Sequence, residues 1–307
     1  MKYRRLGRTG LLVSEISFGA GPVSGLMTGT DSERQVAVLK TAVQCGINWI
    51  DTAAGYGHGN SERSLGAALH ELDPHEQIHI ATKIRILRTS AATVRQQIEN
   101  GVTESLQRLR RSQITLLQLH NAITEQPDHE PFSLTPEDVL QPDGVAAVFA
   151  ELQQSGTITC CGLTGTGQPQ ALRQVLHSRH FDTLQIPYNR LNPSAGMVLT
   201  ADSSQTDYGN LLDDCAKLDL GAFAIRVLAG GAIAGNPPST HTLTTPFFPL
   251  SLYQQDLQRA RSIAAAEPPS EAVPQAIRFV LQHPAICSAI IGFAEPREVL
   301  QACEAVC

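Results

Sequence analysis

The chain has 307 residues, of which 42% are hydrophobic and 17% are charged, and this composition is ordinary for a globular protein with a large core. The length fits one large barrel or two modest domains. A formal net charge of -6 offers no basic surface for nucleic acid, and no segment approaches the ~20 apolar residues that a membrane helix requires. The seven cysteines show no paired spacing and are expected to be free thiols. These features predict a cytoplasmic protein without nucleic-acid or membrane partners.

The N-terminal segment differs in pattern from the rest of the chain. Residues 3–6 and 11–13 are predicted to be strands, with a glycine-flanked turn at residues 7–10 between them. This hairpin resembles a plug for the bottom of a barrel. The first helix is predicted to begin at Ser32, where Gln35 three residues later completes a capping-box pattern, and to end at Gly46.

Short apolar strands then alternate with amphipathic helices along the chain. Strands are predicted at residues 47–51, 78–83, 114–120, 157–163, 183–186, 221–226 and 286–291. Helices are predicted at residues 61–72, 94–109, 145–154, 169–177, 210–217 and 274–282, and a last helix follows the final strand. The run ITLLQL at residues 114–119 is apolar without alternation, as in parallel strands that are covered on both faces.

This alternation is typical of a parallel sheet with helices outside it. An open doubly wound sheet and a closed barrel both satisfy the pattern, but the number of units, about eight, favours a (β/α)8 TIM barrel. No linker divides the chain, so residues 1–307 are expected to form a single domain. Residues 122–142, rich in proline and acidic residues, are too long for an ordinary connection and are predicted to be a functional loop.

Polar side chains stand at the ends of successive predicted strands, or just past them. They are Asp51, Tyr56, Lys83 and His120. In a parallel barrel these ends open onto one face, where the active sites of this architecture lie. Each residue alone has an ordinary structural role, such as a cap for the aspartate or a solvated surface position for the lysine. Their occurrence on consecutive units predicts a shared catalytic site.

Distinctive motifs are spread over nearly the whole chain. They are LGRTGLLVSEISFG (6–19), GINWIDTAAGYGHGNSERSLGAAL (46–69), ATK (81–83), LQLHN (117–121), CGLTG (161–165), LQIPYNRLNP (184–193), LAGGAIAG (228–235) and AIIGF (289–293). In this order they resemble the motifs of the aldo/keto reductase family. The second motif is the most specific. The resemblance implies an NAD(P)-dependent oxidoreductase that acts on a small-molecule carbonyl or alcohol, with Asp51, Tyr56, Lys83 and His120 as its catalytic tetrad.

The chemistry of this tetrad suits carbonyl reduction. Transfer of a hydride to a carbonyl leaves an oxyanion that must be protonated, and the Tyr56 phenol, with an ordinary pKa of about 10, can give this proton or take it back in the reverse direction. The Lys83 ammonium would stabilise the phenolate, and Asp51 would hold the lysine. His120 would orient the carbonyl oxygen.

A nicotinamide cofactor, NADP or NAD, is implied by the resemblance rather than by a nucleotide-binding motif. The sequence lacks a Rossmann G-x-G-x-x-G fingerprint and contains only a fragment of one, Gly19, Ala20 and Gly21, which are predicted to contact the cofactor. By similarity, Gln185 would bond the nicotinamide amide and Tyr188 would stack on its ring. Thr164 stands where the family often has a serine for that amide.

The other end of the cofactor is predicted to lie against the segment LAGGAIAG and the C-terminal motif. Leu228 and Gly230 would bring backbone N–H groups to the pyrophosphate. Arg226 replaces a common serine and would meet a phosphate or, equally, pair with a buried acid. After the last strand, Phe293 and Arg297 stand where NADPH-using relatives place several cations. Because few cations remain for a 2′-phosphate, the sequence leaves NAD and NADP equally open.

Substrate contacts are predicted at Asn121, which stands where many relatives have an aromatic residue, and at Pro22, which stands near another commonly aromatic position. A more polar pocket predicts a sugar-like, hydroxylated substrate. An alternative function is a catalytically silent nicotinamide-binding barrel that acts as a sensor or scaffold, although the complete tetrad argues against it.

A competing motif is HEQIH at residues 75–79, which matches the zinc-protease pattern H-E-x-x-H. That chemistry needs both histidines on one face of a helix. Here Pro74 precedes the motif and a predicted strand overlaps its end. We therefore expect no metal site.

Overall fold

The N-terminal hairpin is present. The computed structural model describes residues 1–72, 78–200, 205–264 and 268–306. Strands β1 (Tyr3–Arg5) and β2 (Leu12–Ser14) pair antiparallel, and the turn between them contacts the start of a barrel strand. At Gly7, where φ is +46°, an added Cβ would lie 2.3 Å from the amide nitrogen of Gly221, so this close approach requires glycine.

Eight parallel strands close into a barrel in the order β10-β3-β4-β5-β6-β7-β8-β9. Their bounds are β3 (Ile16–Gly19), β4 (Trp49–Asp51), β5 (His79–Ile84), β6 (Ile114–Leu119), β7 (Ile158–Thr164), β8 (Thr183–Pro187), β9 (Gly221–Ile225) and β10 (Ile286–Ile291). The predicted (β/α)8 barrel is therefore confirmed. The sequence pattern missed β3, whose four residues are all buried, because so short an apolar run shows no periodicity.

Helices surround the barrel at the predicted places. Their bounds are α1 (Ser32–Gln44), α2 (Asn60–Leu72), α3 (Val94–Leu109), α4 (Pro136–Leu140), α5 (Val145–Gln154), α6 (Pro169–His177), α7 (Leu211–Leu218), α8 (Thr240–Thr244), α9 (Leu250–Ala264), α10 (Ala272–Gln282) and α11 (Pro296–Glu304). Three of these helices were not predicted. Helix α4 lies within the long loop 122–142, and α8 and α9 belong to the connection between β9 and β10.

The predicted capping box of the first helix is wrong. The N-cap is Asp31, whose side chain accepts a hydrogen bond from the amide of Arg34 at 3.1 Å. Gln35 donates instead to the carbonyl oxygens of Leu26 at 2.9 Å and Gly29 at 3.0 Å. The glutamine thus holds the loop that leads from β3 into the helix, which a local capping pattern cannot reveal.

The core has two layers, as expected for a barrel with an outer ring of helices. One layer lies between the strands and the helices. The other fills the barrel interior, where the rings of Trp49 and Phe223 lie 4.9 Å apart. Burying each such side chain stabilises the fold by roughly 1.5–3 kcal/mol. Cys45, Cys160, Cys161, Cys215 and Cys287 are free thiols. Within the described ranges, none of the helices combines the length and apolarity needed to cross a bilayer.

Candidate active site

The predicted tetrad residues converge at the carboxyl-terminal mouth of the barrel. The ammonium of Lys83, which is fully buried, donates hydrogen bonds to Asp51 Oδ2 at 2.6 Å and to the Thr52 carbonyl oxygen at 2.8 Å. It also donates to Tyr56 Oη at 3.3 Å. The Tyr56 and His120 rings meet edge to face with centroids 5.6 Å apart. A phenol, an ammonium, a carboxylate and an imidazole thus share one site.

Two glutamines bond the Asp51 carboxylate oxygen that Lys83 leaves unbonded. Asp51 Oδ1 accepts hydrogen bonds from Gln185 Nε2 at 2.7 Å and from Gln118 Nε2 at 3.3 Å. Sequence reasoning missed Gln118, although it stands two residues before His120 and so points inward with it at alternate positions of the strand. Because both carboxylate oxygens of Asp51 are bonded, the lysine beside it has a fixed counterion.

The protonation states of the site follow from burial and charge. Burial alone would lower the pKa of Lys83, but the Asp51 carboxylate and the Tyr56 hydroxyl raise it above its usual value, so the group stays an ammonium. Burial raises the pKa of the Tyr56 phenol, and the Lys83 ammonium opposes this rise. Burial, with the charges of Lys83 and Arg85, lowers the pKa of His120 well below its usual value. At neutral pH the site therefore contains a neutral phenol and a neutral imidazole.

Tyr56 lines a cleft at this mouth. A cavity of about 680 Å³ is lined by Pro22, Val23, Ser24, Gly25, Thr28, Gly29, Gly55, Tyr56, Gly57, His58, Ser239, Thr240 and His241. Its walls come from the loops after β3 and β4 and from the connection between β9 and β10. No described residue forms a hydrogen bond with the His120 imidazole. The cleft thus gives a small molecule access to Tyr56, and the His120 ring lies against Tyr56 without lining the cleft itself.

The loop that carries Tyr56 is anchored by the first residues of α2. Asn60 Nδ2 donates to the Thr28 carbonyl oxygen at 3.0 Å, and Ser61 Oγ donates to the Ala20 carbonyl oxygen at 2.7 Å. Glu62, fully buried, accepts hydrogen bonds from Thr82 Oγ1 and Arg108 Nε, each at 2.6 Å. Three successive polar side chains of the segment GNSERSLG, those of Asn60, Ser61 and Glu62, thus each bond a different neighbouring segment.

The comparisons with known proteins agree with this geometry. The model of the aldo/keto reductase family matches residues 15–306. The chain belongs to the aldo/keto reductase family. The predicted resemblance is confirmed, and membership makes this chain an NAD(P)-dependent oxidoreductase.

Individual relatives are distant. Aldo-keto reductase YhdN of Bacillus subtilis is 30% identical over 202 residues, which cover 62% of this chain and 54% of that protein. L-galactose dehydrogenase of Arabidopsis thaliana is 25% identical over 304 residues, covering 97% of this chain and 86% of that protein. An aldo-keto reductase from Klebsiella pneumoniae in complex with NADPH superimposes with a TM-score of 0.68 at 19% identity, covering 99% and 89% of the two chains. At this identity the structural likeness shows the fold.

Several residues that the family resemblance assigns to the cofactor lie around the tetrad. Gly19 ends β3, and the amide of Ala20 donates to the Asp51 carbonyl oxygen at 2.8 Å. Gly21 lies against the Tyr56 ring, which an added Cβ would approach to 3.7 Å. Thr164 ends β7, and its buried Oγ1 has no hydrogen-bond partner among the described residues.

The side chains of three other predicted contact residues are engaged elsewhere. Tyr188 stacks on Phe279 of α10 with ring centroids 5.5 Å apart, so it packs against an outer helix. Phe293 is buried against Phe18, with centroids 5.9 Å apart. The Asn121 amide bonds only backbone groups, donating to the Ile86 carbonyl oxygen at 2.8 Å and accepting from the Ile86 amide at 2.9 Å. Of the two predicted substrate residues, only Pro22 lines the cleft.

The predicted phosphate segment forms a tight turn after β9. Ala229, Gly230 and Gly231 all have positive φ, and Leu228 is the N-cap of this short 3-10 turn. The Arg226 guanidinium pairs with Asp256 at 2.6 Å, which is the buried acidic partner that the sequence had left open as an alternative to a phosphate. Arg297 lies exposed near the start of α11.

Only the end of the zinc-protease pattern lies within the described residues. His75, Glu76 and Gln77 lie outside the described residues. His79 begins strand β5 and packs against Trp49, with ring centroids 5.6 Å apart. In the part of the chain that the structure describes, no three metal-ligating side chains come together.

Proposed function

We propose that this protein transfers a hydride between a nicotinamide cofactor and an aldehyde, a ketone or the corresponding alcohol, with Tyr56 as the general acid and base. The observation that carries this proposal is the buried cluster in which Lys83 bonds both the Asp51 carboxylate and the Tyr56 hydroxyl. A fully buried lysine is rare unless it is paired. Here two N–H groups of the Lys83 ammonium bond Asp51 and the Thr52 carbonyl oxygen, and the third bonds the Tyr56 hydroxyl.

Each residue has a distinct part in the reaction. When bound, the nicotinamide supplies or accepts the hydride. Tyr56 Oη gives a proton to the substrate oxygen during reduction and takes it back during oxidation. Lys83 stabilises the phenolate that remains, and Asp51 holds the lysine in place. The neutral imidazole of His120 has no hydrogen-bond partner among the described residues, and it orients the carbonyl oxygen beside Tyr56.

The residues around the mouth fit such a cofactor. The unpartnered Oγ1 of Thr164 is a buried polar atom that needs a hydrogen bond, and an amide of the nicotinamide would satisfy it. Gln185 lies on the adjacent strand and is already bonded to the tetrad. The step from Leu228, with φ of -100°, to Ala229, with φ of +51°, has the alternation of right- and left-handed backbone that favours anion binding by successive N–H groups. These residues would hold the nicotinamide and the pyrophosphate.

The cleft favours a hydroxylated substrate. Ser24, Ser239, Thr240 and His241 line it together with Tyr56, and their hydroxyl and imidazole groups can bond substrate hydroxyls. One distant relative is named L-galactose dehydrogenase, and its name indicates a sugar substrate. We therefore propose a sugar-like carbonyl compound or alcohol, with the polar contacts coming from the loop between β9 and β10 rather than from Asn121.

Turnover assays test this proposal. The purified protein is mixed with NADH or NADPH and a panel of small aldehydes, including glyceraldehyde, and loss of the reduced cofactor is followed by absorbance. We expect oxidation of the cofactor with at least one aldehyde. Tight cofactor binding without oxidation by any carbonyl would contradict the proposal and support the sensor or scaffold alternative.

The pH dependence of the two reaction directions is expected to differ. Because burial raises the pKa of Tyr56, the phenol is protonated throughout the neutral range, and reduction should be flat until the pH exceeds the ordinary phenol pKa of about 10. Oxidation needs the phenolate, so its rate should rise with pH towards the same range. Profiles of kcat/KM in both directions check this, and a loss of reduction with a midpoint near neutrality would contradict it.

Cofactor preference is expected to favour NAD over NADP. At the start of α11, where the resemblance places the 2′-phosphate, Glu298 Oε2 already accepts hydrogen bonds from the amides of Ala294 at 2.6 Å and Glu295 at 3.2 Å. Arg34 is paired with Glu295 at 2.6 Å, whereas the exposed Arg297 forms no ion pair with any described residue. Two carboxylates beside a 2′-phosphate would repel it.

The expected preference is on the order of 10–100-fold in Kd, the value of one or two lost charged hydrogen bonds. Fluorescence titration of NADH and NADPH measures it. Glu298→Gln should improve NADPH binding while leaving NADH binding nearly unchanged. Tighter binding of NADPH by the unmodified protein would show that the 2′-phosphate lies elsewhere.

A further inference from the structure

Arg85 occupies an unusual place beside the active site. It follows Lys83 by two residues, where the chain leaves β5. Its guanidinium lies over two aromatic rings, 5.2 Å from the centroid of Phe132 and 4.6 Å from that of Phe247. Phe132 comes from the long loop 122–142 and Phe247 from the connection between β9 and β10. Two loops that are distant in sequence therefore meet on one cation.

The guanidinium has no polar partner among the described residues. Its Nε atom is buried without a hydrogen bond, and no carboxylate forms an ion pair with it. Two other arginines differ: Arg88 pairs with Asp138 at 2.6 Å, and Arg226 pairs with Asp256. Aromatic rings stacked on a guanidinium stabilise its positive charge. They do not accept hydrogen bonds from its N–H groups, which point outward in the plane of the guanidinium. Because arginine stays charged at any ordinary pH, the unmet donors call for an anion.

The charge of Arg85 is felt at the reacting groups. It lowers the pKa of His120 and counteracts the rise in the pKa of Tyr56 that burial causes. Strands β5 and β9 lie on opposite sides of the barrel, and the connection between β9 and β10 spans the mouth between them, since Phe247 lies over Arg85 while Phe248 lies over Arg226. Arg85 therefore lies at the mouth, close enough to Tyr56 and His120 for its charge to act on both.

Asn121 positions the surroundings of this arginine. Its amide group bonds both backbone polar groups of Ile86, the residue after Arg85, and donates to the Phe132 carbonyl oxygen at 2.6 Å. The asparagine thus ties the backbone beside the guanidinium to the backbone of one of its two aromatic neighbours. This arrangement keeps Arg85 in a fixed direction without neutralising its charge.

We propose that Arg85 binds an anionic group of the substrate, so that the preferred substrates are hydroxylated carbonyl compounds or alcohols that carry a carboxylate or a phosphate. This inference rests on the proposed function and names its substrate class. The planar guanidinium would bond the anion through two N–H groups while Tyr56 and His120 bond the reacting oxygen. Charge on the substrate, rather than hydroxyl groups alone, then determines specificity.

Matched substrate pairs test the proposal. One pair is succinic semialdehyde and its methyl ester, and the other is glyceraldehyde 3-phosphate and glyceraldehyde. The unmodified enzyme should prefer the anionic member of at least one pair, and the pair that shows the preference identifies carboxylate or phosphate as the group. Arg85→Gln should lower kcat/KM for that anionic substrate on the order of 10–100-fold, with the neutral member changed by less than about threefold.

Two further variants make the result specific. Arg85→Lys keeps the charge but loses the planar pair of donors, so its loss should be intermediate. Arg88→Gln removes a cation from the same loop and should leave the preference intact. Equal losses for charged and neutral substrates in Arg85→Gln, with a shifted pH profile, would show that Arg85 acts on Tyr56 instead and would overturn the proposal. An equal loss of preference in Arg88→Gln, or no preference in the unmodified enzyme, would also overturn it.

A binding measurement separates this proposal from the proposed function. Succinate, which cannot be reduced, is titrated into the protein with saturating NAD by calorimetry. We expect binding that Arg85→Gln weakens at least tenfold. Such binding without turnover of any aldehyde would refute the reductase activity and leave the anion site standing. If neutral aldehydes are turned over and Arg85→Gln binds succinate as tightly as the unmodified protein does, the anion site alone is refuted.

Discussion

Replacing Tyr56 by phenylalanine is expected to lower kcat/KM for carbonyl reduction by about 10²–10⁴-fold, the usual contribution of a positioned general acid. The change removes only the hydroxyl that Lys83 bonds at 3.3 Å, and the ring can keep its edge-to-face contact with His120. Cofactor affinity should therefore stay within about threefold of the original value, because no cofactor contact is lost. Steady-state kinetics and a fluorescence titration measure the two quantities.

Tyr3→Phe is the matched control. It removes the same atom from the hairpin, where Tyr3 Oη donates to the Gly46 carbonyl oxygen at 2.8 Å, far from the tetrad. Its activity should equal that of the unmodified protein. If Tyr56→Phe retained full activity, the proton would have to come from another group, and the role assigned to Tyr56 would be wrong.

Replacing Lys83 by methionine is expected to remove activity and also to destabilise the fold by roughly 3–5 kcal/mol, the cost of leaving one member of a buried ion pair unpaired. The Lys83 and Asp51 side chains are 0% and 5% exposed, so water cannot replace the missing ammonium. The pKa of Tyr56, raised by burial and held down by Lys83, should rise further. Urea unfolding measures the stability, and the pH profile of any residual activity reports the phenol.

A double variant separates the two effects. Asp51→Asn together with Lys83→Met leaves no buried charge and should recover much of the lost stability without recovering activity. Arg95→Met breaks an exposed pair with Glu151 and should have only a small effect. A Lys83→Met variant as stable as the unmodified protein would mean that Asp51 carries no buried charge in the folded state.

The tetrad could be predicted because each of its members stands at a strand end or just after one. Parallel strands in a barrel bring their carboxyl ends to one face, so the positions of Asp51, Lys83 and His120 in three successive strands were enough to predict their proximity. Gln118 carried the same signal two residues before His120. It was missed because a single glutamine among apolar residues indicates no function until the group that it bonds, here the Asp51 carboxylate, is known.

Other parts of the site depend on contacts that no local pattern contains. Asn121 follows the catalytic histidine in sequence, yet its amide turns to the backbone of Ile86 and Phe132. Arg85 was not singled out, because its significance comes from two phenylalanines on remote loops and from the lack of an acid beside it. Arg226 is the opposite case. The sequence suggested that it binds a phosphate, but it pairs with Asp256, which lies in a helix that the sequence did not predict.

A crystal structure with bound NAD and an unreactive carboxamide or carboxylate analogue of a substrate tests the central claim most directly. We predict that the analogue's carbonyl oxygen lies within about 3.2 Å of both Tyr56 Oη and an imidazole nitrogen of His120, the reach of a catalytic hydrogen bond, with the nicotinamide ring beside it. A nicotinamide bound away from this mouth, or an analogue held with its oxygen turned from Tyr56, would contradict the account.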